Sequence, residues 1–107
     1  MTANALRGEA VITIGGVSHL LRPSFSALVA AEEELGPLFA LVERAGSGRL
    51  KLAEMAALFW HCLADRDGLT HELLGDAVAT MGLAAASKPL RQLLAQILQG
   101  DSAQQSG

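Results

Sequence analysis

The stretch LKLAEMAALFWHCLAD, Leu50 to Asp65, decides how the rest of the chain is read. Leu52, Met55, Ala56, Phe59 and Leu63 recur at i, i+3, i+4 spacing, which predicts a helix with an apolar face. Leu58, Trp60 and Cys62 widen that face until little of the circumference is polar. The stretch also holds the only tryptophan and the only cysteine of the chain. A helix this apolar needs cover on most sides, so it is expected at the centre of the fold, over about 51–65.

The cover is legible on both sides. Toward the N-terminus, Gly46-Ser47-Gly48 breaks the chain before the central helix. A short helix over 37–45 precedes the break, with Pro37 suited to its first turn and Leu38, Leu41 and Val42 facing inward. Before that, a helix over 24–35 is capped by Ser24 or Ser26 and stopped by Gly36, with Phe25, Leu28, Val29 and Leu35 as its inward stripe. Toward the C-terminus, Arg66-Asp67-Gly68 turns the chain and Thr70 caps a helix over 70–81. Leu73, Leu74, Ala77, Val78 and Met81 form its stripe. A last helix is expected over 85–99 with Leu90, Leu93, Leu94, Ile97 and Leu98 apolar. Pro89 leaves its start ambiguous, with regular helix beginning as late as Lys88 or Pro89. The central helix lacks a good cap, because Lys51 stands where Ser, Thr or Asp is preferred, so a frayed start is expected.

Residues 8–22 read differently. Gly15-Gly16 between two β-prone runs is a hairpin signal. With that turn the paired residue numbers sum to 31. One face then carries Ala10, Ile12, Ile14, Val17, His19 and Leu21, and the other carries Glu9, Val11, Thr13, Ser18, Leu20 and Arg22. The first is the expected core face, and Glu9 meets Arg22 as an opposite-charge pair on the second. A lone hairpin is marginal in water, so it must lie on the helices or gain a strand, and its open edge is either covered or offered to a partner. The fold class is therefore mainly α (α+β): an N-terminal two-stranded hairpin followed by a compact bundle of four to five short helices. One domain is expected over 8–99, with a loose lead-in at 1–7 and a disordered tail at 100–107.

Composition narrows the function. A formal charge of −3 and a pI near 5.5, with the basic residues scattered, argue against nucleic acid as a partner. One cysteine forms no internal disulfide, and no secretory signal or run long enough to span a membrane is seen, so a cytoplasmic, soluble protein is expected. His61 and Cys62 point about 100° apart on a helix and cannot work as a thiol and its base, whereas His61 and Asp65, at i, i+4, are expected to pair. Cys62 is expected to be buried and inert. A metal site would have to draw on His19, His61, His71 and Cys62 without any recognised ligand spacing. Gly46-Ser47-Gly48-Arg49 is too short for a phosphate loop, and no GxSxG occurs. No catalytic residue, cofactor or metal is expected. The one local anomaly is Glu32-Glu33-Glu34, three acidic residues in a last helical turn, where the dipole favours cations. They form either a solvated face near Arg44 or Arg49 or an acidic patch for a basic segment of another protein.

Several strings, taken together, resemble a small phage-derived family. They are Gly8-Glu9-Ala10-Val11 opening the hairpin, Leu20-Leu21-Arg22 closing it, and Pro23-Ser24-Phe25-Ser26-Ala27-Leu28. A glutamate at Glu32 or Glu34, Leu35-Gly36, Gly48-Arg49-Leu50 and Gly82-Leu83 continue the pattern. The chain is similar over about 8–99 to the tail assembly chaperone-like proteins of gene transfer agents and related siphophages. Lys51 departs from the small polar residue expected after Gly-Arg-Leu, and Ser26 from the glycine that often follows the aromatic residue. The resemblance implies a non-enzymatic role in tail morphogenesis. The implied partner is the long helical tape-measure protein, kept soluble while tube subunits assemble around it, or another tail component. Partner contacts are expected on the hairpin face of Val11, Leu20 and Arg22 and on Glu32, Glu33 and Glu34, and a homo-oligomer is left open. The rival classes are a cytoplasmic adaptor that dimerises through its helices, and a small enzyme or ligand-binding helical domain. A neighbouring reading frame for a very long coiled-coil-like protein favours the first reading, and a deep polar pocket with a perturbed titratable group favours the last.

Overall fold

The computed structural model describes residues 10–99, so the lead-in, the C-terminal tail and the expected Glu9–Arg22 pair lie outside the described residues. The order is β1 (Ala10–Ile14), β2 (Val17–Leu21), α1 (Phe25–Leu35), α2 (Leu38–Gly46), α3 (Leu52–Cys62), α4 (His71–Met81) and α5 (Leu83–Gln99). This is the expected hairpin followed by a helical bundle.

The strands pair antiparallel from Ala10↔Leu21 to Ile14↔Val17, the register that the two-glycine turn dictates. Gly15 and Gly16 both sit at positive φ, 58° and 81°, a geometry that only a residue without Cβ adopts freely. Ala10, Ile12 and Leu21 are buried, but the core face does not run the length of the hairpin. Ile14 is half-buried and Val17 is 57% exposed, because the turn end overhangs the helices.

α3 is the centre. Met55, Leu58, Phe59 and Cys62 on it join Ala10, Ile12 and Leu21 from the hairpin, Ala31 from α1, Leu74 and Val78 from α4, and Ala86, Leu90 and Leu93 from α5 in one core. α1 packs on α3 from one side with α2 beside it, while α4 packs on α3 and α5 runs against β1, α4 and α3. The central helix is shorter than its apolar period suggests. It stops at Cys62, and Leu63 turns extended (φ −60°, ψ 127°) to bridge Leu21. The Arg22 amide donates to the Cys62 carbonyl at 2.6 Å and the Ala64 amide to the Leu20 carbonyl at 3.0 Å. The chain thus covers one end of its own hairpin edge, with strand pairing replacing the last helical turn.

Three other expectations change. The start of α3 is held by Glu54, whose carboxylate accepts the Lys51 amide at 3.0 Å. The third helical residue therefore does what a capping side chain at Lys51 cannot. α5 begins at Leu83, directly after Gly82 closes α4, and runs through Pro89. Pro89 forgoes one helical hydrogen bond, and its ring is buried. Finally, α1 is rotated from its expected face. Ala27, Leu28, Ala31 and Leu35 point inward, while Phe25 is 84% exposed and Val29 is also exposed. Small residues at 27 and 31 let α1 approach α3 closely, and that contact sends the phenylalanine outward.

Candidate interaction surface

The layer formed by α1 and α2 is tied to α3 through carboxylates. The Ser24 hydroxyl accepts the Ala27 amide at 3.2 Å and fixes the start of α1, and Gly36 at φ 95° closes its end. Of the three glutamates near that end, Glu32 accepts the Leu38 amide at 3.1 Å and so caps α2. Glu34 meets Nε2 of His61 at 2.6 Å. Glu33 is exposed, and among the described residues it has no ionic partner. The misplaced charge at the end of α1 is thus explained for two of three residues by cross-links to α2 and α3. Of the neighbours expected for this patch, Arg44 is engaged elsewhere: one of its guanidinium nitrogens donates to both Glu54 oxygens, at 2.7 and 2.6 Å. That hydrogen bond, aided by the one from the Lys51 amide, holds the Glu54 carboxyl below its ordinary range.

The expected His61–Asp65 pair does not form. α3 has ended before Asp65, whose Oδ1 instead accepts the Asp67 amide at 2.9 Å in a turn, leaving His61 to Glu34. Around the same corner Arg66 lies over the Trp60 ring at 4.9 Å, and Trp60 meets His71 at 4.1 Å between centroids with the rings tilted by 35°. Cys62 is buried among apolar side chains, and that desolvation pushes its thiol up to about 12. Such a thiol is no nucleophile at neutral pH. Among the described residues no group of three or more His, Cys, Asp or Glu is placed to hold a metal ion. Nor, among them, is any helix long and apolar enough to cross a membrane.

On the hairpin, Val11 and Leu20 stand directly opposite one another, both half-buried, with Arg22 exposed beyond them. They sit on an element that packs little on α1, so the hairpin residues and the three glutamates form two surfaces rather than one. Sequence reasoning missed the aromatic surface. Phe25 opens α1 in solvent, and Phe39, in the first turn of α2, is 79% exposed. A signal was available for Phe25: Ala27, Ala31 and Leu35 with Leu28 already complete an inward stripe without it.

The pattern of hairpin, helix end and glycine-marked turns extends to a known family: the one described as "Phage tail tube protein, GTA-gp10" matches residues 7–100. The chain belongs to this family. No curated protein and no solved structure matches it. Membership makes this a protein of the phage or gene transfer agent tail, and interaction with other tail components follows from that. The surfaces above belong to a GTA-gp10 family member in which Phe25, Phe39 and Glu33 are exposed while Glu32 and Glu34 are bonded to α2 and α3.

Proposed function

We propose that this family member is a non-enzymatic assembly chaperone of tail morphogenesis, acting in the cytoplasm of the producing cell. Its partner is an extended helical tail component with apolar stripes, the tape-measure protein in the first place. The observation that carries the reading is the surplus of large apolar side chains in solvent, Phe25 and Phe39 foremost, on a domain whose core is already filled. Single exposed apolar residues are ordinary, but two phenylalanines on adjacent short helices are what a domain that covers another protein's apolar surface needs. An amphipathic helix laid on such a surface is a recurrent mode of recognition. The hairpin face of Val11, Leu20 and Arg22 is the second proposed contact, and the acidic end of α1, Glu32 to Glu34, the third.

A second reading rests on the family description itself, which speaks of a tail tube protein. A tube subunit stays in the finished particle, whereas a chaperone leaves. Co-expression with the longest helical protein of the tail cluster, with purification on a tag, tests the first reading. The expected result is a soluble complex with a partner that is insoluble alone. Phe39→Ser, or Val11→Asp combined with Leu20→Asp, weakens the complex while circular dichroism stays native. A partner equally soluble alone, with nothing co-purifying, ends the chaperone reading. Abundance of the protein in purified particles then decides for the tube.

A further inference from the structure

Two helix faces in this molecule are apolar, charged and uncovered, and they complement each other. On α1, Phe25, Val29, Glu32 and Glu33 are all exposed and share one side of the helix. The apolar pair stands at the N-terminal end and the acids at the C-terminal end. On α5, Ala84, Lys88, Arg91, Ala95 and Leu98 are all exposed, and at 100° per residue they fall within about 80° of arc. Here the basic pair lies toward the N-terminal end and the leucine at the C-terminal end. Among the described residues neither Lys88 nor Arg91 has a carboxylate partner; Arg91 donates only to the Ser87 hydroxyl, at 3.2 Å.

The spacing matches as well as the sign. Phe25 and Glu32 are seven residues apart, and so are Leu98 and Arg91. Each interval is about 10.5 Å along a helix. Laid antiparallel with Phe25 beside Leu98, the two faces bring Val29 within about 1.5 Å of the level of Ala95, Glu32 level with Arg91, and Glu33 between Arg91 and Lys88. The alanines allow close approach of the axes, and antiparallel helix dipoles add to the fit. The two faces cannot meet within one molecule. α1 packs on α3 and α2, α5 packs on β1, α4 and α3, and α1 and α5 do not pack extensively on one another.

We infer that the α1 face is the docking site for α5 of a second copy of this chain. Made once between two copies, the contact leaves one free face of each kind and propagates into a ring or filament; made twice about a two-fold axis, it closes as a dimer. The inference goes beyond the proposed function and holds for a chaperone or for a tube subunit. In a chaperone the second copy competes with the tail partner for Phe25 and the acidic end of α1, and Phe39 and the hairpin face serve the partner alone.

Sedimentation velocity of the full chain over a concentration series tests it. The expected result is association that grows with concentration and is reduced at high salt. Phe25→Ser and Glu33→Lys each shift the protein to monomer without loss of helicity, since both side chains are exposed. Lys88→Glu with Arg91→Glu does the same. Combining Lys88→Glu alone with Glu33→Lys in one chain swaps the pair and restores association, which a merely structural effect does not do. A wild-type monomer at the highest soluble concentration, or association untouched by Phe25→Ser and the charge reversals, overturns the inference. Because the test needs no tail partner, its failure is separate from failure of the chaperone reading.

Discussion

The two sides of α3 are held by different physics. On the α4–α5 side the seam is apolar: Leu74, Val78, Ala86, Pro89, Leu90 and Leu93 are buried. On the α1–α2 side only Ala31 and Leu41 are buried, and the layer is fixed by Glu34 to His61, Glu32 to the start of α2, and Arg44 to Glu54. The first side resembles a protein interior, in which each methylene removed from water adds to stability. The second is a thinner cover: Ala27, Leu28 and Leu35 pack half-buried against the core, and charge pins the layer in addition. Partly exposed pins are worth little and weaken with salt, so the cover is the part freest to change its contacts. The aromatic side chains left in solvent are on that cover.

The largest test of this contrast is a pair of substitutions. Leu93→Ala in the apolar seam is expected to cost about 2–5 kcal/mol. Phe39→Ala on the cover is expected to stay within about 0.5 kcal/mol, since nothing is packed around it. Urea titrations of the two variants measure both, and equal costs would erase the distinction. Next in size is Glu54→Gln, which loses the Arg44 pair and weakens the Lys51 cap together. The Glu54 carboxyl titrates below its ordinary value of 4.5 in the folded chain, so its contribution is complete above that value and is lost as pH falls through the folded one. Melting temperatures should therefore drop on acidification below about pH 4.5 in the wild type and depend less on pH in the variant.

Smaller still is Glu34→Gln. Its partner His61 is largely covered, but Glu34 is half exposed, so the expected loss is below about 1 kcal/mol and shrinks with salt. Hydrogen exchange should show it first, as faster opening of α1 with α4 and α5 unchanged. Cys62 gives the smallest effect at neutral pH, where folded and unfolded chains both hold a neutral thiol. Above pH 9.0 the unfolded chain ionises while the folded thiol resists up to about 12, so stability falls as pH rises through that window. A thiol reagent at pH 8 should label Cys62 no faster than the protein unfolds.

What could be read in advance follows the same division. The hairpin register, α4 and the core of α3 came from local signals: a two-glycine turn, a threonine cap and an apolar period. The end of α3 was not readable, because Leu63 is buried whether the chain there is helix or strand. Only the backbone pairing with Leu20 and Arg22, some forty residues earlier in the sequence, selects strand. The orientation of α1 was misread for a related reason. Phenylalanine outranks alanine as an inward residue by hydrophobicity, but close helix approach favours alanine. The three glutamates looked like one anomaly, and two of their partners, the Leu38 amide and His61, are named by no sequence pattern. Phe39 stood outside every stripe, which made its exposure legible and its purpose not.

The bridge from Leu21 to Leu63 also sets an order of events at the ribosome. The hairpin leaves the exit tunnel first, yet its last backbone partner, Ala64, is made 43 residues after Leu21. At roughly 5–20 residues per second, that is a wait of about 2–9 seconds. During this interval the N-terminal strands are complete in sequence but lack the segment that clamps them. A nascent chain stalled before residue 64 therefore presents an apolar ribbon with a free side to whatever is near, and synthesis of that one short segment ends its exposure.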